Sequence, residues 1–301
     1  NELLRPSASR YLCTKTLTKV KQDFYNDPTT QSLSYKNSFK YSLLHQAQIK
    51  IEIKSPTSFS IFEGETDLPE ANGQVISEAR LTDFLLGASR VKAHYQDLMK
   101  AKDAHISSAW LLVTAYYCCF FSCIELLKIS DRIQIGFDPD DLLLLQSRST
   151  GQHKAAFFQS NTLNFVGQLQ ANKIVFESTG AKPHAAAWTH LNSALTSIFK
   201  GKSWNEVEML KRILSDPALN PSRVRNNWNY KRPDYFGATG EIFGIQFKKL
   251  LGNPRGSTDW LVRNGATAGQ DDSSRIAALC EILAPSIIDA YDRIKTKELS
   301  T

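Results

Sequence analysis

The chain has 301 residues, of which 42% are hydrophobic and 22% charged, so it can fill the core of one large domain or two ordinary ones. It contains no Walker loop, no GxGxxG, no GxSxG and no cluster of acidic residues, which excludes the common phosphate-loop, dinucleotide, serine-hydrolase and metal-carboxylate sites. The five cysteines lack CxxC spacing, which argues against zinc and for a reduced, cytoplasmic protein without metal or cofactor.

Two zones carry most of the positive charge. Residues 1–60 hold nine Lys and Arg against four Asp and Glu, and residues 221–263 hold eight against three. The net charge of the whole chain is +6, so the rest is mildly acidic. If the two zones meet in the fold, the protein has a basic side that favours a polyanionic partner.

The first 76 residues are expected to form a small basic α/β region with a short β-hairpin. Residues 1–45 are polar and weakly patterned, with scattered Lys and Ser. Apolar and polar residues then alternate from Gln46 to Lys54, which is typical of a half-buried strand. A second strand begins at Phe59–Ile61 after a Ser-Pro-Thr break. The polar stretch 63–76 is the predicted domain boundary.

Two long helices are predicted next. Ser77 begins the first, in which apolar residues recur at three- and four-residue steps as far as Leu98. Asp103 is the predicted cap of the second, which continues to about Lys128. Because the turn between them is short, the two helices are expected to be antiparallel.

The second helix contains Ile106–Ile124, a run of nineteen residues without a formal charge, which is just long enough to cross a bilayer. The run also holds three serines, a threonine and two tyrosines, and it leads directly into Glu125. A helix that is apolar on all sides is equally typical of the centre of a helical bundle. We therefore predict a buried helix and no membrane partner, with a nearby cation paired to Glu125.

The stretch 131–185 predicts an irregular insertion that contains two short strands, Ile133–Phe137 and Ile174–Phe176. A helix is expected over Trp188–Phe199. Ser203–Glu206 has the pattern of a capping box for the next helix.

The C-terminal part of the chain predicts further helices. Asn220 and Pro221 provide the cap and the first residue of a short helix. Residues 233–272 are rich in Gly, Asn and Asp, and predict loops with one small helix near Phe243–Leu250. The last helix begins at Ser273 or Ser274 and is expected to kink at Pro285.

The segment Pro221–Arg232, PSRVRNNWNYKR, is the most informative part of the sequence, because it holds four cations and no acid. An arginine fork donates two parallel hydrogen bonds to a phosphate, and a neighbouring asparagine can hold the fork or donate to the phosphate itself. An aromatic residue one turn away can stack on a base. The segment indicates a phosphate or nucleic-acid site. The alternative is a basic helix end that caps its own carbonyl groups and pairs with neighbouring acids.

With the helices in place, the chain resembles the HEPN superfamily (higher eukaryote and prokaryote nucleotide-binding domains). The helix HISSAWLLVTAYYCCFFSCIELLKI resembles the apolar second helix of the family, RNNWNY resembles its RxxxxH signature, and Ser274–Lys295 would close the bundle. The resemblance covers residues 77–130 and 186–298. It implies a mainly α fold, with an antiparallel helical bundle in a domain that spans residues 77–301.

The catalytic members of this family are metal-independent ribonucleases of toxin, antiviral-defence and CRISPR systems. In them an arginine neutralises the scissile phosphate and a histidine moves a proton. The resemblance places Arg225 in the arginine position, Asn226 in the polar position and Tyr230 in the histidine position, as the catalytic candidates. Tyrosine has a pKa of about 10 in water, so it is a poor base at pH 7 but can donate a hydrogen bond to phosphate. His105, at the start of the apolar helix, is interpreted as a structural residue.

We therefore expect a HEPN-like protein that engages RNA, another nucleic acid or a nucleotide phosphate through Arg225. The further nucleic-acid contacts are expected at Arg223, Asn229, Lys231 and Arg232. The protein is either a metal-independent endoribonuclease of a defence or toxin–antitoxin system, or a degenerate binding version.

The resemblance also implies a homodimer that brings two Arg225 sites together. The alternative function is that of a catalytically inactive subunit whose helical bundle dimerises or docks a partner protein. The two functions differ in whether Arg225 and Tyr230 line an open basic cleft or pack into the core.

Overall fold

The computed structural model describes residues 7–23, 33–65, 67–70, 73–104, 106–160, 162–180, 183–267 and 272–296. These residues are mainly helical, which confirms the predicted fold class at this level, and they include one six-stranded sheet. The chain divides into two compact units. The helical unit consists of the residues up to Leu17, Gly87–Leu126 and Ala187–Arg293. The α/β unit consists of Thr18–Leu86, Leu127–Ala186 and the residues from Ile294.

The α-helices of the described residues are α1 (Ser7–Asp23), α2 (Phe39–His45), α3 (Gln74–Asp103), α4 (Ser108–Ile129), α5 (Pro139–Arg148), α6 (Lys154–Gln159), α7 (Pro183–Ile198), α8 (Asn205–Ser215), α9 (Pro221–Asn226), α10 (Ala238–Leu250), α11 (Pro254–Asn264) and α12 (Asp272–Lys295). The strands are β1 (Ile49–Ser55), β2 (Ser58–Glu63), β3 (Arg132–Gly136), β4 (Ser149–Thr150), β5 (Asn164–Gln170) and β6 (Lys173–Ser178). A π-helical turn, Asn227–Lys231, continues α9.

The sheet of the α/β unit has the strand order β3-β5-β6-β2-β1-β4, in which β1 and β4 are parallel and all other neighbours are antiparallel. Alternate residues of the strands face one hydrophobic core, because successive side chains of a strand point to opposite faces. Ile51 lies opposite Ile61 in the β1–β2 hairpin. Phe59 lies opposite Phe176, and their rings stack 4.7 Å apart. The predicted hairpin is confirmed.

In the chain, the stretch 131–185 lies between two segments of the helical unit, as an insertion does, but its described residues are mostly regular, so the prediction that it is irregular is wrong. The two predicted strands, Ile133–Phe137 and Ile174–Phe176, are confirmed as β3 and β6. The stretch provides β3, β5 and β6 together with α5 and α6, and β6 pairs with β2 of the hairpin. The predicted boundary between residues 1–76 and 77–301 therefore falls between strands that share one sheet. Pairing between strands that are far apart in the chain leaves no local pattern, so the boundary could not be located from periodicity.

Two helices that the sequence pattern does not predict are α1 and α11. Helix α1 lies within residues 1–45, where buried hydroxyl residues interrupt the apolar pattern. One of these is Thr16, whose hydroxyl donates to the Leu12 carbonyl at 2.8 Å. Helix α11 lies within residues 233–272. The Asn253 side chain caps it by accepting from the Gly256 N–H at 3.0 Å, so the loop-like composition here includes helix-capping residues.

Two predicted helix caps are also wrong. Asp103 is the last residue of α3, and the carboxylate at the start of α4 comes from Glu241, which accepts from the Ser108 N–H at 2.7 Å. The N-cap of α8 is Trp204, which makes no side-chain cap, and Glu206 accepts from the Ala8 N–H at 3.0 Å. A carboxylate stabilises a helix N-terminus even when the acidic residue lies far from that helix in the sequence. A short sequence motif detects only a capping residue that lies next to the helix in the chain.

Helices α4 and α12 form much of the core of the helical unit. Helix α12 is buried without a break from Ser273 to Ile287. On α4, Glu125 is fully buried and its Oε1 lies 3.7 Å from Nη2 of Arg90, which confirms the predicted pairing with a cation. All five cysteines are free and buried.

Helix α4 is long and apolar enough to cross a membrane by length and composition. Within the fold, 67% of its most apolar window is buried. The core helix of a soluble protein meets the same criterion, so a single helix of this kind is weak evidence for a membrane span.

Candidate functional site

The candidate site begins at α9, whose start is fixed by local sequence. The Asn220 side chain accepts from the Ser222 N–H at 2.9 Å, and Pro221 occupies the first helical position, as predicted. The chain then widens into the π-helical turn Asn227–Lys231, in which the Arg232 N–H donates to the Asn227 carbonyl at 3.0 Å. Short π-helical segments are frequent at functional sites.

The wide turn determines which side chains meet. In an α-helix, residues five apart lie about 140° from each other around the axis, because each residue turns the chain by about 100°. Arg225 and Tyr230 would then point in different directions. In this structure Arg225 Nη1 donates to Tyr230 Oη at 3.3 Å. The π-helical turn therefore brings the two predicted catalytic positions together.

Arg225 is buried against three tyrosine rings. Its exposed fraction is 9%. Its Cζ lies 5.1 Å from the ring centroid of Tyr116, 5.8 Å from that of Tyr117 and 5.5 Å from that of Tyr230, all within cation–π range. We refer to Arg225 and these three tyrosines as the tyrosine cage.

The guanidinium of the cage has no acidic partner. Among the described residues, no carboxylate forms an ion pair with Arg225, and its buried Nε makes no hydrogen bond. Buried cations are ordinarily paired with an acid. The structure matches neither the open basic cleft nor the packed core for both residues. Arg225 is buried like a core residue, whereas Tyr230 is 69% exposed.

Tyr116 forms the floor of the cage. It is fully buried; its hydroxyl lies 3.0 Å from Ser222 Oγ and accepts from Trp188 Nε1 at 3.4 Å. Burial raises the pKa of Tyr116, and the hydrogen bonds with Ser222 and Trp188 and the charge of Arg225 lower it by a smaller amount. The hydroxyl is therefore neutral at pH 7 and can donate a hydrogen bond, but it cannot act as a base.

The other predicted site residues lie outside the cage. Asn226 and Asn229 are partly exposed, and Arg223 and Lys231 are exposed and form no ion pair within the described parts of the chain. The side chain of Arg232 donates to both carboxylate oxygens of Asp234, at 2.9 and 2.7 Å, and its contact with nucleic acid stays a prediction. The acid-free segment ends just before this carboxylate, which neutralises Arg232.

Arg225 donates a hydrogen bond to Tyr230 and lies against the rings of Tyr116, Tyr117 and Tyr230. His105 lies outside the described residues. Sequence reasoning missed Tyr116 and Tyr117 as site residues. Their signal was two adjacent phenols in an otherwise apolar run, since a buried tyrosine hydroxyl needs a hydrogen-bond partner.

Comparison of the chain with protein-family models, with curated proteins and with solved structures finds no match.

Proposed function

We propose that the helical unit binds the phosphate groups of a nucleic acid or nucleotide through Arg225. The observation that carries the proposal is the buried guanidinium of the tyrosine cage, which forms no ion pair with an acid of the described residues and has an unbonded Nε. A buried donor without a partner costs about 1–3 kcal/mol, and more when it is charged. A phosphate supplies the missing negative charge and accepts charge-assisted hydrogen bonds from the fork.

RNA is the ligand that the surroundings of the cage favour. Arg223 and Lys231 are exposed on the same helical segment and can contact further phosphates of a strand. The exposed ring of Tyr230 offers a surface for a base. The resemblance to the HEPN superfamily supports the same ligand.

Binding is better supported than cleavage. Cleavage without metal needs a group that moves protons near neutral pH. A tyrosine side chain has a pKa of about 10 in water, and burial raises the pKa of Tyr116 above that value. An endoribonuclease activity would have to use the Tyr230 hydroxyl as the acid for the leaving group.

Binding of a single-stranded RNA is expected to weaken steeply as salt increases, with a slope of about −0.7 in log K against log salt for each phosphate contact. Arg223→Gln and Lys231→Gln should each flatten the slope by about one contact or less. Lys173→Gln removes the same charge from β6, outside both basic zones, and should leave the slope unchanged. Fluorescence anisotropy without added metal measures all four proteins.

Salt-independent binding, or no binding at low salt, would contradict the proposal. Electrophoresis of the same mixtures tests cleavage. Tyr230→His, which adds a group with a pKa of about 6.5, should increase cleavage if the protein is a divergent ribonuclease.

A second candidate function, association with a second copy of the chain, is favoured by exposed apolar side chains of the helical unit. Trp110, Phe236, Ile242 and Ile245 are 56, 37, 64 and 54% exposed. The rings of Trp110 and Phe236 meet edge-on at 5.5 Å. Glu241 binds the start of α4, so the four residues surround one junction between α4 and α10. Clustered apolar exposure is typical of an interaction surface.

The exposed side of α10 is complementary to itself. Glu241 comes first, Ile242 and Ile245 follow, and Lys249 comes last. If two copies of α10 pack antiparallel about a twofold axis, the isoleucines meet and Glu241 approaches Lys249 of the partner subunit. Glu241 pairs with Lys248 of the same helix at 2.7 Å, which leaves Lys249 as the exposed charge of this side. One lysine does not suit a polyanion, which favours a second copy of this chain.

The double variant Ile242→Glu, Ile245→Glu is expected to convert a dimer into a monomer at micromolar concentration, because it places four like charges in the interface. Sedimentation equilibrium measures the mass. Leu143→Glu is the matched control, since Leu143 is 64% exposed on α5 of the other unit and should leave the dimer intact. A monomeric wild-type protein at this concentration would exclude the dimer.

A further inference from the structure

We infer that the tyrosine cage binds a terminal phosphate monoester rather than an internal phosphodiester, an inference that rests on the phosphate-binding function proposed above. The evidence is the depth of the guanidinium. Only 9% of Arg225 is exposed, and three rings stand within 5.8 Å of its Cζ. A ligand must therefore reach below the surface to contact the fork.

The walls of the cage differ in accessibility. Tyr116 is fully buried, and Tyr117 is partly exposed. Tyr230 is 69% exposed, and its hydroxyl meets Arg225 through one hydrogen bond of 3.3 Å. Tyr230 is thus the outer wall, and a phosphate can replace its hydroxyl on Arg225 Nη1. The ligand is expected to enter past this side chain.

The shape of the ligand follows from the burial of the donor among three rings. An internal phosphodiester carries a sugar on each of two ester oxygens, so both arms of the strand would have to enter the cage with the phosphate. A terminal monoester has one substituent and three unesterified oxygens. It can enter end-on and present two oxygens to the arginine fork.

The charge of the ligand also favours a phosphate monoester. A monoester carries a charge of about −1.5 to −2 at pH 7, whereas a diester carries −1. The rings that face Arg225 in the cage belong to tyrosines, and no carboxylate of the described residues competes for its charge. Tyrosine hydroxyls can donate hydrogen bonds to the unesterified oxygens.

The phosphate monoester has three sources, namely the 5′ end of a strand, the 3′ end of a strand and a mononucleotide. Arg223 and Lys231, exposed on the segment that carries Arg225, favour a strand whose following phosphates run outside the cage.

The test uses one short RNA sequence in four forms, with a 5′-phosphate, a 3′-phosphate, hydroxyl groups at both ends, or a methylated 5′-phosphate, as competitors in fluorescence anisotropy. One of the two phosphorylated forms is expected to bind at least tenfold more tightly than the hydroxyl form. Methylation should abolish the advantage of a 5′-phosphate, because it converts the monoester into a diester. Adenosine monophosphate competing as well as the best strand would identify a mononucleotide instead.

Arg225→Met is expected to remove the preference for a phosphorylated end, and Lys173→Gln is expected to retain it. Tyr230→Phe, at an exposed position where folding should be unaffected, should reduce the preference several-fold by removing one donor. An unchanged preference in Tyr230→Phe would show that its hydroxyl does not donate to the bound phosphate.

The outcomes separate this inference from the function on which it rests. If all strands bind equally and Arg225→Met weakens all of them, phosphate binding stands and the terminal monoester is overturned. If a folded Arg225→Met binds every strand as the wild type does, both proposals are overturned.

Discussion

Replacing Arg225 with methionine is expected to lower the affinity for RNA about 100-fold and to change the folding stability by about 1 kcal/mol or less. A hydrogen bond to a charged group contributes about 1.5–3 kcal/mol, and a factor of ten in affinity corresponds to about 1.4 kcal/mol. Losing both bonds of the fork therefore accounts for the expected loss of affinity. Methionine is similar in length and fills the space between the rings, and the lost cation–π contacts are offset by removal of a buried charge without an acid.

Arg275→Met is the matched control for stability. Arg275 is fully buried like a core residue, and it donates to Asp272 at 3.0 Å and to the carbonyls of Gly265 and Thr267 at 3.1 and 2.6 Å. Breaking a buried ion pair costs about 3–5 kcal/mol, which urea denaturation resolves. If Arg225→Met loses as much stability as Arg275→Met, Arg225 is a structural residue and the phosphate proposal loses its basis.

Gly240→Ala is expected to destabilise the helical unit by about 3 kcal/mol, at the upper end of the usual cost of overpacking. Gly240 is buried in the first turn of α10, and a Cβ there would lie 1.7 Å from the carbonyl oxygen and 2.5 Å from the carbonyl carbon of Tyr235. Both atoms belong to the backbone, so no side-chain rotation can relieve the overlap. Since the Tyr235 ring packs 4.5 Å from that of Trp228, the displacement should also disturb the π-helical turn and weaken RNA binding.

Gly237→Ala provides the control for this prediction. A Cβ at Gly237 would lie 3.7 Å from the nearest atom, the Asp234 carbonyl oxygen, which is an ordinary contact. Its expected cost is about 1 kcal/mol or less, because glycine is only moderately better than alanine as a helix N-cap. Chemical denaturation of both variants measures the difference. Equal stabilities would show that the turn around Tyr235 adapts to the added methyl group.

The sequence predicts well the features that depend on neighbouring residues. The alternation in β1, the buried face of α8 and the Asn220 cap of α9 follow from side chains within one or two turns of each other. The pairing that joins the hairpin to the rest of the sheet was not predicted. Strand β6, which pairs with β2, lies far from the hairpin in the chain, so the pairing leaves no local pattern.

The candidate site also has one part that the local sequence indicates and another that depends on the fold. The importance of Arg225 is visible in its acid-free segment, and its relation to Tyr230 was available only through the spacing of a resemblance. A π-helical turn is needed for residues at this spacing to meet, and residue propensities do not show where such a turn will form. Tyr116 and Tyr117 come to Arg225 from α4, more than a hundred residues earlier in the chain, and only the tertiary fold reveals that contact.

The interleaving of the two units has a consequence for synthesis on the ribosome. All six strands of the sheet have been made once Ser178 has been translated. The helical unit, by contrast, cannot complete its core until α12, buried without a break from Ser273 to Ile287, has left the exit tunnel. Until then the apolar faces that α12 covers stay open to chaperones and proteases. Arg225 and its tyrosines belong to this later unit, so the phosphate site should mature only after α12 has been made.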